Sequence, residues 1–342
     1  MNQPASSHRP RRITRAIAFL EYLAPAWFAL VMGWSGLSLA WLRASDVLGE
    51  SALGVGLVSA IFALFVFVLL CLSCILRLTF HPKAVAADLR HPVRHAFMAT
   101  LPLSILLLVG IGVTLFWNTS DTLDTALRVV WVMGSILELA TSVWVIARWL
   151  NPADKGGLQW AAFTPVFFIP IIGNVIAPLA GVTIGLEAWS MAQFGIGLLM
   201  WPVLQTLLII RFIQVGPLPA RISPSIFIIL VAPSIIGLCF LQLEAPQNLA
   251  WISWGIGVFS LALSLTQIHT IFAQPFGLSH WAMSFPMAAF TTLTLRMSQQ
   301  LGGAWLQWPA TLLLAVTSLL ILGLTLNSWR GLRHGHLLVP EQ

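Results

Sequence analysis

The sequence predicts an all-α integral membrane protein: ten transmembrane helices as five helical hairpins around a central pore, pseudo-five-fold, with the odd helices inner and proline-kinked. Three observations lead there. Of 342 residues, 58% are hydrophobic and only 8% charged, and the mean hydropathy is +0.90, a balance that suits a chain solvated by lipid. Ten apolar runs each approach the roughly 20 residues that a helix needs to cross hydrocarbon. Prolines gather in alternate runs.

In order, the runs are 22–42, 53–77, 96–117, 124–147, 162–182, 187–211, 224–243, 249–272, 279–298 and 305–328. The first holds Pro25 and Gly33 and is full length, so it reads as a span and not as a cleaved signal. The third carries Pro102, the fifth Pro165, Pro170 and Pro178, the seventh Pro224 and Pro233, and the ninth Pro286. The even runs read as regular, with Pro202 of the sixth as the exception. A hairpin with a proline-bearing first helix thus recurs every ~50 to 80 residues, and five such units suggest a ring.

Proline removes the hydrogen bond to the carbonyl four residues back, so Pro102, Pro170, Pro233 and Pro286 release the carbonyls of Met98, Val166, Ile229 and Ala282. In hydrocarbon an orphaned carbonyl costs several kcal/mol. The odd helices are therefore expected to face one another around a passage. The even helices, rich in Leu, Ile and Val, are expected to face lipid.

Connections between runs are short. The longest, "LTFHPKAVAADLRHPVRH", is too short for a domain; residues 1–20 read as a polar tail, 21–329 as the membrane domain and 330–342 as a second tail. Placing both termini in the cytoplasm puts Arg9, Arg11, Arg12, Arg15, Arg77, Lys83, Arg90, Arg94, Arg148, Lys155, Arg211, Arg221, Arg330 and Arg333 inside. Only Arg43, Arg128 and Arg296 fall outside, the asymmetry expected of a multi-pass protein. Trp41, Trp117, Trp149, Trp160, Trp251, Trp305 and Trp329 mark span ends, where an indole reaches the headgroups.

A pI near 10.2 does not point to nucleic acid, because the basic residues flank apolar runs and form no patch of their own. Cys71, Cys74 and Cys239 lie inside apolar runs, so no disulfide framework, metal site or cofactor is indicated. "HGH" at 334–336 reads as solvated tail. "DTLD" at 121–124 reads as first-turn acids of a helix, so no enzyme is expected.

The odd runs contain no Asp, Glu, Lys or Arg in their interiors; Glu21 precedes the first and Arg296 stands at the exit of the ninth. A neutral passage can still select by charge through broken-helix dipoles, and can gate by dewetting. One acid lies at mid-span, Glu138 in "VMGSILELATSVWVIA". Burial there costs roughly 3 kcal/mol, which allows two readings: a proton-coupling group, or a structural acid bonded to Ser135, Thr141, Ser142 or a neighbouring helix.

The stretches "YLAPAWFALVMGWSGLSLAWL", "HPVRHAFMATLPLS", "TPVFFIPIIGNVIAPLAG", "LPARISPSIFIILVAPSIIG" and "HWAMSFPMAAF" resemble the inner helices of the tellurite-resistance/dicarboxylate transporter family, which includes bacterial TehA and the plant slow anion channels. The resemblance implies a homotrimer with one pore per subunit in the bacterial inner membrane, passing small inorganic or organic anions passively. It implies that Phe285, beside Pro286, occludes the pore. It also aligns Trp27, Phe28 and Ala29 with an aromatic-Phe-Gly stretch facing that ring; here Ala29 replaces the glycine, Val31 replaces a proline, and Gly33 is kept. Phe28, Ala29, Met32, Pro102, Pro170, Pro233 and Pro286 are the expected lining. The long phosphorylated tails of the plant channels have no counterpart, so kinase control through them is not implied. The alternative is a proton-coupled carrier of dicarboxylate, sulfite or tellurite-type oxyanions, depending on Glu138.

Overall fold

The computed structural model describes residues 18–152, 157–301 and 304–339. Most of the expected N-terminal tail, with Arg9, Arg11, Arg12 and Arg15, lies outside the described residues, as do Lys155 and residues 340–342. Among the described residues every regular element is a helix. We label the main ones α1 (Pro25–Leu48), α2 (Glu50–Phe80), α3 (Arg94–Phe116), α4 (Asp121–Leu150), α5 (Pro165–Gly181), α6 (Glu187–Val215), α7 (Ala220–Gln242) and α8 (Gln247–Leu265). Then come α9 (Ser284–Gln300) and α10 (Ala304–Arg333).

Eight of these are long and apolar enough to cross a membrane; α5 is a shorter apolar helix, and α9 has 17 residues with a threonine-rich second half. Burial divides the eight. In the most apolar window of α1, α3 and α7, 67, 61 and 89% of residues are buried inside the protein, against 22–33% in α2, α4, α6, α8 and α10. The even helices accordingly expose large side chains such as Ile61, Leu64, Ile209, Phe259 and Leu319, as lipid-facing surfaces do.

Contacts explain the division. Each odd helix packs on the even helix that follows it, and the odd helices also touch one another in a closed circuit: α1 on α3, α3 on α5, α5 on α7, α7 on α9, and α9 back on α1.

A shared local feature sets these five apart. Each begins as a 3₁₀ helix and then becomes α-helical: Pro25–Phe28 leads into Ala29, Arg94–Ala99 into Thr100, Pro165–Phe168 into Ile169, Ala220–Leu230 into Val231, and Leu278–Met283 into Ser284. Pro102, Pro170, Pro233 and Pro286 each fall within the first three residues after that change. A helix start is where a missing N–H costs least. At the change, backbone N–H groups reach three residues back: Thr100 to Phe97, Ile169 to Val166, Val231 to Ile228 and Ser284 to Trp281. The Val166 carbonyl, which Pro170 leaves without its α-helical donor, is thereby satisfied by Ile169. The prolines mark a change of helix type more than a bend in a continuous α-helix.

Several boundaries differ from the sequence reading. The supposed loop after α2 contains a helix, Pro82–Arg90, started by Pro82. The span expected to run to 272 ends at Leu265 and resumes as Ile268–Phe272. Helix α10 continues past residue 329 to Arg333. It also contains Pro309, so Pro202 is not the sole even-helix proline. Of the tryptophans, Trp305 and Trp329 are exposed as expected, whereas the Trp41 indole donates to Ser318 at 3.0 Å and pins α1 to α10.

The Pro82–Arg90 helix carries Asp88, which is 1% exposed. Its carboxylate pairs with Arg77 of α2 at 2.7 Å and with Arg94 of α3 at 2.9 Å, and Arg77 also donates to the Glu21 carbonyl at 3.0 Å. Removing the acid strands a buried guanidinium. Asp88→Asn is therefore expected to cost about 3 kcal/mol of stability, measured as a lower melting temperature in detergent, while the exposed Glu50→Gln leaves it unchanged.

Candidate functional site

Two cavities lie inside the circuit of odd helices. The first, about 190 Å³, is lined by the 3₁₀ segments and early α turns. The second, about 310 Å³, is lined by the later turns of the same five helices. Phe285 is the one residue common to both linings. It is 4% exposed.

The lining follows a simple rule. On α1 it runs 26, 29, 32, 36, 39, 43; on α5, 166, 169, 172, 176, 179, 183; on α7, 222, 225, 228, 231, 235, 238, 242; on α9, with the turn before it, 279, 282, 285, 289, 292, 296, and a few neighbours of these positions also reach the cavities. Helix α3 follows the same course through 94, 97, 100, 107, 110 and 114. Steps of three belong to the 3₁₀ segment, which has three residues per turn, and alternating threes and fours to the α-helix. Each odd helix thus keeps one stripe toward the cavities through its change of type, interrupted on α3 between Thr100 and Leu107.

This rule sorts the residues expected from the sequence. Phe285, Ala29, Met32 and Pro286 line the cavities. Phe28, Pro102, Pro170 and Pro233 line neither. Phe28 turns outward into a cluster with Trp27, Val31, Val66 and Leu70, its ring 5.9 Å from that of Phe67 on α2. Pro102 and Pro233 are two residues past the stripe positions Thr100 and Val231, about 200° around an α-helix, and Pro170 is one past Ile169, about 100°. Their rings are buried among helices.

The ring of Phe285 has a defined neighbour. A Cβ added at Gly36 would lie 2.9 Å from Ala288 Cβ and 3.1 Å from Phe285 Cδ2. The glycine lets α1 approach α9 and gives the phenyl its resting surface. Gly36 stands one α-helical step after Met32.

Cavity one is apolar apart from Arg94, Thr100, Thr164, Ser225 and Ser279, and its arginine is neutralised by Asp88. Cavity two contains Arg43, Asp46 and Arg296 with Thr114, Thr183, Gln242 and Thr292. Here two arginines face one carboxylate.

Glu138 lies in neither cavity. Fully buried on α4, it presses on α5 where Gly173 leaves room; a Cβ there would overlap Glu138 Cδ. Around it, Ser142 donates to the Pro170 carbonyl at 2.5 Å, Asn174 donates to Ser142 at 2.7 Å and to the Pro170 carbonyl at 2.9 Å, and Gln193 donates to the Ser135 carbonyl at 3.0 Å. Neither carboxyl oxygen has a hydrogen-bond partner among the described residues. Of the expected partners, Ser142 takes the Glu138 backbone carbonyl at 2.9 Å, not the carboxyl group.

The family model described as voltage-dependent anion channel matches residues 22–328. An uncharacterized transporter of Methanocaldococcus jannaschii is 26% identical over 79% of this chain and 82% of its own length. The S-type anion channel SLAH2 of Arabidopsis thaliana is 27% identical over 71% of this chain and 46% of its own length. The tellurite resistance protein TehA homolog of Haemophilus influenzae is 24% identical over 78% of this chain and 79% of its own length.

The packing behind α5 makes a measurable demand. Gly173→Ala forces a methyl into the Glu138 carboxyl and is expected to cost roughly 2–3 kcal/mol as an overpacked site. The double variant Gly173→Ala/Glu138→Ala should recover most of that loss, a coupling read from melting temperatures in a double-mutant cycle.

Proposed function

Because the chain belongs to the voltage-dependent anion channel family, a family of membrane anion channels and transporters, we propose that it is a passive anion channel closed by the phenyl ring of Phe285. In this reading α1 to α10 are ten crossings paired as five hairpins around a pseudo-five-fold axis. The two cavities are the two halves of one pore. Both termini face the cytoplasm, the chain sits in a bacterial inner membrane, and three copies assemble with one pore each. The observation that carries the reading is that Phe285 alone borders both cavities.

The physics is that of a hydrophobic constriction. The stripe residues where the two linings adjoin, among them Met32, Ile172, Val231 and Ile235, offer a hydrated anion no replacement for its water. With the ring across that apolar neck, an anion meets both a steric block and a dewetted segment. Rotation of the ring leaves a short uncharged passage that holds an anion weakly and so releases it quickly. The excess of arginine over carboxylate around cavity two favours anions over cations at that mouth. Neither cavity brings Glu138 to the path, so the proton-coupled alternative gains no support from this acid.

Phe285→Ala is expected to raise anion flux into liposomes about tenfold or more, as removing ~1.4 kcal/mol or more of barrier does, with little gain in cation flux. Phe290→Ala is the control. Phe290 is also a buried phenylalanine on α9, but it packs on Trp254 and lines neither cavity. No rise with Phe285→Ala, or an equal rise with Phe290→Ala, would refute the gate.

A further inference from the structure

Arg296 occupies an unusual position for a cation. It is 8% exposed, sits on the cavity stripe of α9, and has no carboxylate within ion-pairing distance among the described residues. Its Nη1 donates to Gln242 Oε1 at a long 3.4 Å, and Gln242 is in turn anchored by donating to Thr183 Oγ1 at 3.2 Å. The Nε–H is buried without an acceptor, and Nη2 makes no hydrogen bond among the described residues. A guanidinium carries five donors. The donors on Nε and Nη2 are therefore unused in a side chain that lines an open space of about 310 Å³, and a guanidinium with free donors can grip a planar oxyanion with two parallel bonds.

Its surroundings keep those donors unoccupied. Arg43, the other cation of cavity two, is held by Asp46 at 3.2 Å in an i,i+3 pair on the exposed end of α1. Arg94 of cavity one is held by Asp88. Of the arginines lining the two cavities, Arg296 alone has no acid, and leaving a buried cation unpaired is costly unless a ligand supplies the missing charge.

We propose that Arg296, backed by Gln242, forms an anion-binding site in cavity two for a small planar oxyanion, a carboxylate or nitrate, held by the guanidinium. The site lies eleven residues beyond Phe285 on the same stripe, about 16 Å along the helix. It would hold an anion at the mouth while the ring is closed. Its use as an antechamber rests on the channel reading; the binding itself does not.

The test is nitrate binding to the full-length protein in detergent, followed as a saturable rise in melting temperature, with ionic strength held constant by a bulky sulfonate. Arg296→Gln is expected to raise the half-saturating nitrate concentration about tenfold or abolish saturation, as loss of a charge-assisted bidentate pair does. Arg296→Lys should keep a weaker saturable response, because the charge stays and the fork is lost. Should Arg296→Gln fail to fold, the exposed Asp46→Asn decides: removing the only carboxylate lining the cavity should lower half-saturation about threefold, a modest through-space effect. Wild-type-like saturation in Arg296→Gln, or no change in Asp46→Asn, overturns the site. Binding is read on the closed protein, so a Phe285→Ala variant that does not conduct would refute the channel reading and leave this one standing.

Discussion

The constraint on which the structure depends is that no backbone carbonyl can face hydrocarbon unpaired. Five helices of this chain start in 3₁₀ register in apolar sequence, and these are the helices packed into the interior. The five regular partners surround them and bear the lipid. Where a carbonyl loses its α-helical donor, the 3₁₀ register supplies one, as at Val166, or a side chain does, as where Thr100 donates to the Pro25 carbonyl at 3.0 Å. Inner and outer positions follow from this accounting before any pore is considered.

The same change of helix type shapes the interior. A 3₁₀ segment repeats every three residues and an α-helix every 3.6, so a helix that switches can keep one face inward only if its facing positions switch step at the same point. On α5 the facing residues move from 166, 169 and 172 to 176, 179 and 183. The proline lies just after the change and to one side of the face. This is why a residue so conspicuous in the sequence helps to form the walls and, Pro25 and Pro286 apart, does not line them.

Class and layering were legible in the sequence, because hydropathy and proline spacing report on solvent and backbone chemistry directly. The packing of the odd helices on one another agrees with the expectation drawn from their prolines, whereas Phe285 was singled out only by the family resemblance. The individual lining residues were not legible. A helix apolar on every side has no amphipathic face to read, so Phe28 and Ala29, adjacent in the chain, gave no sign that one turns to α2 and the other to cavity one. Gly36 looked like any small residue in a membrane helix, and only its distance to the phenyl ring gives it a role. Arg43 and Arg296 were counted for orientation, where their number matters and their direction does not.

The acids and arginines complete this logic. Asp88 is placed to neutralise arginines where two helix ends meet, and Glu138 is wedged against Gly173 behind the wall of α5, where it contributes to packing between helices. Neither reaches the cavities. What does reach them is cationic excess at one end and an aromatic ring in the middle, about three helical turns apart on a single helix. In the proposed channel attraction and obstruction are thereby separated: a charge at the constriction would bind an anion too strongly for rapid passage, whereas a charge three turns away raises its local concentration without deepening the well at the neck. In the proposed channel α9 therefore carries both functions, the threonine-rich half with Arg296 recruiting the ion and the Ser-Phe-Pro half restraining it.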